Sequence, residues 1–347
     1  MPARRVIVLL VCVVAWLLAA GLLGQNHVET TLNNHLLSQT RQASLLADTI
    51  AAEVGREFAR LRSLVKILAQ SEKIRATLAF VGYQEPLVDE VAQISRQVEL
   101  ESRIDLIELN AMLAGTADDL GLRRIQLLNS LGEVIASSRS TRGESDIGSA
   151  LSGDRLHAAA SIVGSAEGFH VDGENVPSYR FASAIEIDGD VIGVMVVEQS
   201  SFRIARPLIG HYQRVFITDE NGVSVIAREV GLLMVAGPDA RLHSITADER
   251  LYRYGQRLIG QLPFSWDCER SSGQIHGTGD EVPCASVTRP IASEALWVNV
   301  HCPLTELEAL RQTTMLGVGL IALVGLLLIL VIERYIGFAL STRAKNT

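Results

Sequence analysis

Arg124-Ile-Gln-Leu-Leu-Asn-Ser-Leu-Gly-Glu-Val-Ile-Ala-Ser137 reads as a short apolar strand, a polar turn holding Gly132, and a second strand. Ninety residues on, Arg214-Val-Phe-Ile-Thr-Asp-Glu-Asn-Gly-Val-Ser-Val-Ile-Ala227 repeats the arrangement with Gly222 in the matching place. An internal repeat of this kind marks two successive modules, each opening on an Asn/Asp-x-x-Gly hairpin. More strands follow each copy. In the first half, segments 179–187 and 191–199 flank Asp188-Gly189, a strong hairpin signal. In the second half, 257–269, 284–290 and 296–302 supply the rest of a sheet.

Upstream of the first hairpin the period changes from two to between three and four. Leu32, Leu36, Ala43, Leu46, Ile50, Val54, Phe58, Leu61, Leu64, Val65 and Leu68 form one apolar stripe. The run 28–80 has no Pro and only Gly55, while Gly82 and Pro86 lie just beyond it, so the spacing predicts one long helix. At 1.5 Å per residue it would reach roughly 80 Å, more than a small domain needs for its own core. It reads as a stalk. Leu87, Val91, Ile94 and Val98 mark a second helix running to about Gly115 and folding back along the first. A last short helix is expected at 305–312.

Two uncharged runs bracket these elements. Segment 6–24 follows Arg4 and Arg5 in the short leader 1–5, and segment 312–332 precedes Arg334, Arg343 and Lys345 in the tail 333–347. Each is long enough to cross a bilayer once, although small residues at Ala19-Ala20-Gly21 leave a cleavable signal peptide as the competitor for the first. The flanking basic residues place both termini in the cytoplasm and the middle outside. That middle keeps 26 of the 31 Lys+Arg and 38 of the 39 Asp+Glu, a formal charge of −12. Such a domain gives no electrostatic case for nucleic acid.

Outside the spans lie Cys268, Cys284 and Cys302, where disulfides can persist. Cys268–Cys284 would close a short Gly- and Ser-containing loop, worth about 3 kcal/mol in the chain-entropy picture. Cys302 shares strand parity with Val298 and Val300 and reads as a core thiol. No Cys or His stands at a usual metal-ligand spacing, and no nucleophile elbow, zinc-protease or phosphate-loop motif is present, so neither a metal, a cofactor nor an enzyme is expected.

Span, long helix, two modules with matching hairpins, span: this α+β order resembles the double Cache (tandem PAS-like) extracytoplasmic sensor domain of bacterial receptors over about 28–305. The variant it is most similar to is that of the C4-dicarboxylate sensor histidine kinases, through the hairpin Arg180-Phe-Ala-Ser-Ala-Ile-Glu-Ile-Asp-Gly-Asp-Val-Ile-Gly-Val-Met-Val-Val-Glu198. The resemblance implies a bacterial inner-membrane receptor with a distal ligand module at 81–204 and a proximal transmission module at 205–303. It also implies a small-molecule ligand, no cofactor, a stalk homodimer and a cytoplasmic signalling partner. In such modules the ligand lies against the sheet under loops and a short helix, which here correspond to 146–169 with Asp154, Arg155 and His157.

Alternation puts Tyr179, Phe181, Ser183 and Ile185 on one face of a strand, and Arg180, Ala182 and Ala184 on the other. Phe181 and Ser183 match the family's aromatic and hydroxyl positions, while Tyr179 and Phe181 fit a core as well as a pocket wall. Two positions depart from the dicarboxylate sensors. Asp154-Arg155-Leu156 stands where they carry Arg-Pro-Tyr, and Glu198 where they carry a Lys. A Glu there repels a dianion, so an amino acid or amine, countered by Glu198 or Asp154, is at least as good a ligand as an organic acid.

The chain ends 15 residues after the second span, which leads to the expectation of an output supplied in trans or lost by truncation of a kinase or cyclase. The other reading is a non-signalling envelope binding or scaffold protein with a degenerate pocket. Pairing of two stalks along Leu32, Leu36, Leu46 and Ile50 predicts a dimer; sedimentation showing a monomer at high micromolar concentration would remove that expectation.

Overall fold

A helix that starts in an uncharged run and carries a single apolar stripe has no internal reason to stop where the membrane ends. In the computed structural model, α1 runs unbroken over Pro2–Ala69. The structure describes residues 2–81, 90–139, 145–150, 154–172, 175–211, 213–237, 240–262, 284–292, 294–303 and 306–345. The chain divides into two compact units, one of Leu46–Trp266 with Thr288–Val300, the other of Met1–Leu45, Asp267–Val287 and His301–Thr347.

The predicted long helix 28–80 is interrupted. The last turn of α1 tightens as the Ser71 amide bonds back to the Leu68 carbonyl at 3.0 Å, and α2 begins at Glu72–Val81. Ile74, Leu78 and Val81 then bury a new stripe. The second helix, expected to 115, is also two: α3 (Glu90–Ser102) and α4 (Ile104–Leu120). Arg103 between them is extended (φ −73°, ψ 129°), and Ser102 Oγ turns back to the Glu99 carbonyl at 2.8 Å. Gly82–Pro86 lies outside the described residues.

The first module is an antiparallel sheet of β1 (Arg124–Asn129), β2 (Val134–Ser137), β3 (Ser165–Val171), β4 (Pro177–Ile187) and β5 (Asp190–Ser200), in the order β2-β1-β5-β4-β3. Helix α5 (Arg155–Val163) precedes β3, and the short α6 (Ser201–Ile204) follows β5. Asp188 and Gly189 both hold positive φ, as a two-residue hairpin turn requires. The second module contains β6 (Arg214–Asp219), β7 (Ser224–Ala227), β8 (Val235–Ala236), α7 (Ala247–Tyr254), β9 (Gly260–Gln261), β10 (Cys284–Pro290) and β11 (Leu296–Pro303). Its four-stranded sheet runs β10-β11-β6-β7, and β8 pairs β9 in parallel. Of the strand expected at 257–269, the described residues hold only β9. The expected 305–312 helix is the start of α8 (Glu306–Lys345), which continues through the second apolar run.

The repeated hairpins are alike bond for bond. Asn129 Oδ1 accepts the amides of Leu131 and Glu133, each at 3.0 Å, and Asp219 Oδ1 accepts those of Asn221 and Val223, each at 3.0 Å. Gly132 and Gly222, at φ 81° and 77°, close the turns in a conformation that a Cβ disfavours.

The first sheet is covered on both faces. Ile50, Val54, Phe58, Leu61 and Val65 of α1 are buried, and the Phe58 ring meets Tyr179 at 4.9 Å and Phe181 at 5.3 Å, both edge-on. On the other face, Leu156 and Ala160 of α5 join Leu128, Ala182, Val194 and Val196 in a closed apolar cluster. Arg62 of α1 holds both carboxylate oxygens of Glu167 on β3, at 2.6 and 2.7 Å, and also pairs with Glu294 just before β11. Cys302 is buried and free, with burial pushing its thiol up to about 11. Cys268, and with it the expected bridge to Cys284, lies outside the described residues. Truncating Phe58→Ala is expected to cost about 3–5 kcal/mol in denaturant unfolding, whereas Ile67→Ala on the exposed side should stay within about 0.5 kcal/mol.

Candidate functional site

Cross-strand partners in an antiparallel sheet share a face. Register pairs Arg124 with Glu198, Glu198 with Arg180, and Arg180 with Gly168, so one row of the first sheet carries two guanidiniums around a carboxylate. This row lies on the face that α5 covers. Burying it is tolerated only because opposite charges meet. Glu198, 2% exposed, sits between Arg123 Nε at 2.9 Å and Arg124 Nε at 3.1 Å. Arg124 also reaches Asp146 at 3.2 Å and Asp172 at 3.4 Å, and Arg123 pairs with Asp172. Gln126 and Ser137 each donate to Asp146 Oδ2 at 3.3 Å.

Arg180 meets Asp154 at 2.5 Å. Asp154 is the N-cap of α5, its Oδ1 accepting the Leu156 amide at 2.9 Å, and the same oxygen accepts the Tyr252 hydroxyl of α7 at 3.1 Å. Burial pushes the Asp154 carboxyl up, but the Arg180 charge and the Leu156 amide outweigh it and hold the group below its ordinary value. His170, next to this row on β3, is driven down to about 4, first by burial and then by Arg180.

The seven residues singled out from sequence do not converge on one site. Asp154 and Glu198 share the charged row. Tyr179, Phe181 and Ser183 lie on the opposite face of β4, where Phe58 covers the two rings. The expected division of the strand into two faces holds, but the cover helix takes the face of Arg180 and Ala182. The reason is steric: large rings fill the space beside the stalk helix, and alanines let α5 approach the sheet. Arg155 turns outward, pairing with Glu249 and stacking over the Tyr252 ring at 5.0 Å. His157 Nε2 lies 3.2 Å from the Asn129 carbonyl, tying α5 to the first repeat turn.

Sequence reading passed over Arg123, Arg124, Arg180, Asp146, Asp172 and His170. Arg124 and Arg180 were reachable through their period-two parity with Glu198. Asp146 and Asp172 sit in loops, where no periodicity points.

No family model matches the sequence, and no curated protein matches it significantly. Solved structures do match. The sensor domain of the V. cholerae histidine kinase DctB superposes with a TM-score of 0.59 at 16% identity, covering 78% of this chain and 98% of that one. The sensory domain of the Campylobacter jejuni chemoreceptor Tlp3 follows at 0.51 and 10%, with coverages of 82% and 99%. The ligand-binding domain of Tlp3 in complex with L-valine superposes at 0.50 and 11%, covering 81% and 98%. The chain has the double Cache fold. In this double Cache domain the space beneath α5 is occupied at one end by the apolar cluster and at the other by the chain's own ion pairs.

Because the unfolded chain takes up a proton at His170 near 6.5 and the folded chain only near 4, stability falls as pH drops through that window. A His170→Gln variant should show a shallower loss of Tm between those two pH values, read by thermal melts across the range.

Proposed function

We propose that the chain is an extracytoplasmic small-molecule sensor held by two membrane spans, and that its ligand is a zwitterion of the amino-acid class bound at the Arg180–Asp154 pair. The observation that carries this reading is that pair, one guanidinium against one carboxylate at 2.5 Å, both buried between sheet and cover. A zwitterion can replace an internal ion pair without changing the buried charge: its carboxylate takes Arg180, and its ammonium takes a freed carboxylate. A dianion would leave Glu198, Asp146 or Asp172 facing excess negative charge, at a cost of several kcal/mol. The double Cache fold and the L-valine complex of Tlp3 lend support.

Displacing Asp154 would loosen two connections at once, the cap of α5 and the bond from Tyr252 of α7. The stalk packs on the first sheet through Phe58 and pairs with β3 and Glu294 through Arg62, so a shift of the cover has a route into α1. Two helices, α1 and α8, are long and apolar enough to cross a membrane. In the unit that holds these runs, Trp16 Nε1 donates to the Ala322 carbonyl at 3.0 Å, and Gly24 and Gly325 face Val318 and Trp16 with no room for a side chain. Helices in such close contact convert a small displacement of one into strain on the other. The reading places both termini in the cytoplasm, on the strength of Arg4, Arg5, Arg334, Arg343 and Lys345, and assigns the output to a cytoplasmic kinase- or cyclase-type partner.

A thermal-shift screen of the full chain in detergent micelles, against amino acids, dicarboxylates and amines, tests the reading. An amino acid at one hundred times its Kd should add about 2.7 kcal/mol, and Arg180→Met should abolish that response while succinate gives none in either protein. A folded sample that answers to no amino acid would overturn the reading in favour of a scaffold with a locked pocket.

A further inference from the structure

A cavity of about 330 Å³ separates the two modules, at the small end of ligand pockets, which run roughly 300–1,000 Å³. Its first-module wall is α5 with β3 and β4, and its second-module wall is the β6–β7 turn, α7 and the start of β11. Aromatic rings line one side: Phe169 lies 5.7 Å from Tyr179 and 6.1 Å from Tyr254, centroid to centroid.

The charges around it do not cancel. Arg180 is matched by Asp154 outside the cavity. Arg155 and Arg253 are matched by Glu249 and Glu220. Glu167 and Glu294, however, share the single guanidinium of Arg62. Asp219, 5% exposed, is held by the hydroxyl of Tyr254 and by Asn221, and meets no guanidinium among the described residues. Two carboxyl groups are therefore left without a cation of their own, and burial raises both Asp219 and Glu294 above their ordinary values. They converge on Tyr179, whose hydroxyl is raised well above its usual value, first by burial and then by Asp219, Glu220, Glu167 and Glu294 around it.

We propose that this cavity, whose wall shares Arg180 with the Arg180–Asp154 pair, is a second binding site for a small organic cation carrying a quaternary or primary ammonium group. Ring faces attract such a cation within about 6 Å, and carboxylates stripped of their own counter-ions complete its neutralisation. A bare metal ion fits poorly: no group of three or more His, Cys, Asp or Glu that could hold one occurs among the described residues, and the volume far exceeds a single ion. Because the walls belong to both modules, an occupant joins them, and the site acts on the relation between modules rather than on the first module alone.

Choline is the probe, titrated by calorimetry into the full chain in lipid nanodiscs, with the neutral isostere 3,3-dimethylbutan-1-ol beside it. Choline should bind saturably and the isostere at least roughly tenfold more weakly. Glu167→Gln and Asp219→Asn should each weaken choline by about tenfold; should Asp219→Asn fail to fold, Glu167→Gln carries the comparison, since Arg62 keeps Glu294. Arg180→Met, which removes the amino-acid response, takes one cation from the cavity wall and should leave choline binding saturable and no weaker, so failure of one site is told apart from failure of the other. Absence of saturable choline binding, equal binding of the isostere, or unchanged affinity in Glu167→Gln would each overturn the proposal.

Discussion

The first sheet has to bury both of its faces, and a strand offers only two. Along β4 every residue must therefore serve either the stalk helix or the cover helix. Tyr179 and Phe181 go to the stalk, where Phe58 supplies a third ring. Arg180 and Ala182 go to the cover. The charged row that results is a consequence of this division, because Arg124 and Glu198 are placed opposite by register and cannot leave the face without dragging Leu128, Val194 and Val196 out of the apolar cluster. Once inside, each charge needs an opposite one within reach, since an unmatched buried ion costs several kcal/mol. Loop residues Asp146, Asp154 and Asp172 provide the matches.

Much of this architecture was legible because it rests on short-range periodicity. The Asn129 and Asp219 hairpins, the Asp188-Gly189 turn and the apolar stripe of α1 are local signals, and the folded chain follows each. The helix breaks at Ser71 and Arg103 were not legible, for neither position carries Gly or Pro; the stripes on either side are simply out of phase, and tertiary burial settles where the chain bends. At the candidate site, alternation correctly separated Arg180 from Phe181. It could not say which face meets α5, because that depends on the bulk of residues far away in sequence, Phe58 above all. Glu198 read as a solitary acid for the same reason. Its partners Arg123 and Arg124 stand more than seventy positions earlier.

The two modules use one turn for different ends. In the first, Asn129 is neutral, and its carbonyl lies beside His157, so the turn anchors the cover. In the second, Asp219 takes the equivalent place and brings a charge. Burial raises its carboxyl, while Tyr254 and the amides of Asn221 and Val223 pull the other way. A single change of side chain, amide to acid, thus leaves the hairpin geometry untouched and alters the electrostatics of everything the hairpin faces.

Arg62 has one guanidinium and two claimants, Glu167 from the first sheet and Glu294 from the second module. Neither can tighten its hold without loosening the other's, so the arginine behaves as the pointer of a balance. α1, which carries it, is thereby held to both modules through one side chain, so that competition between two carboxylates rather than one fixed bond sets its grip on each.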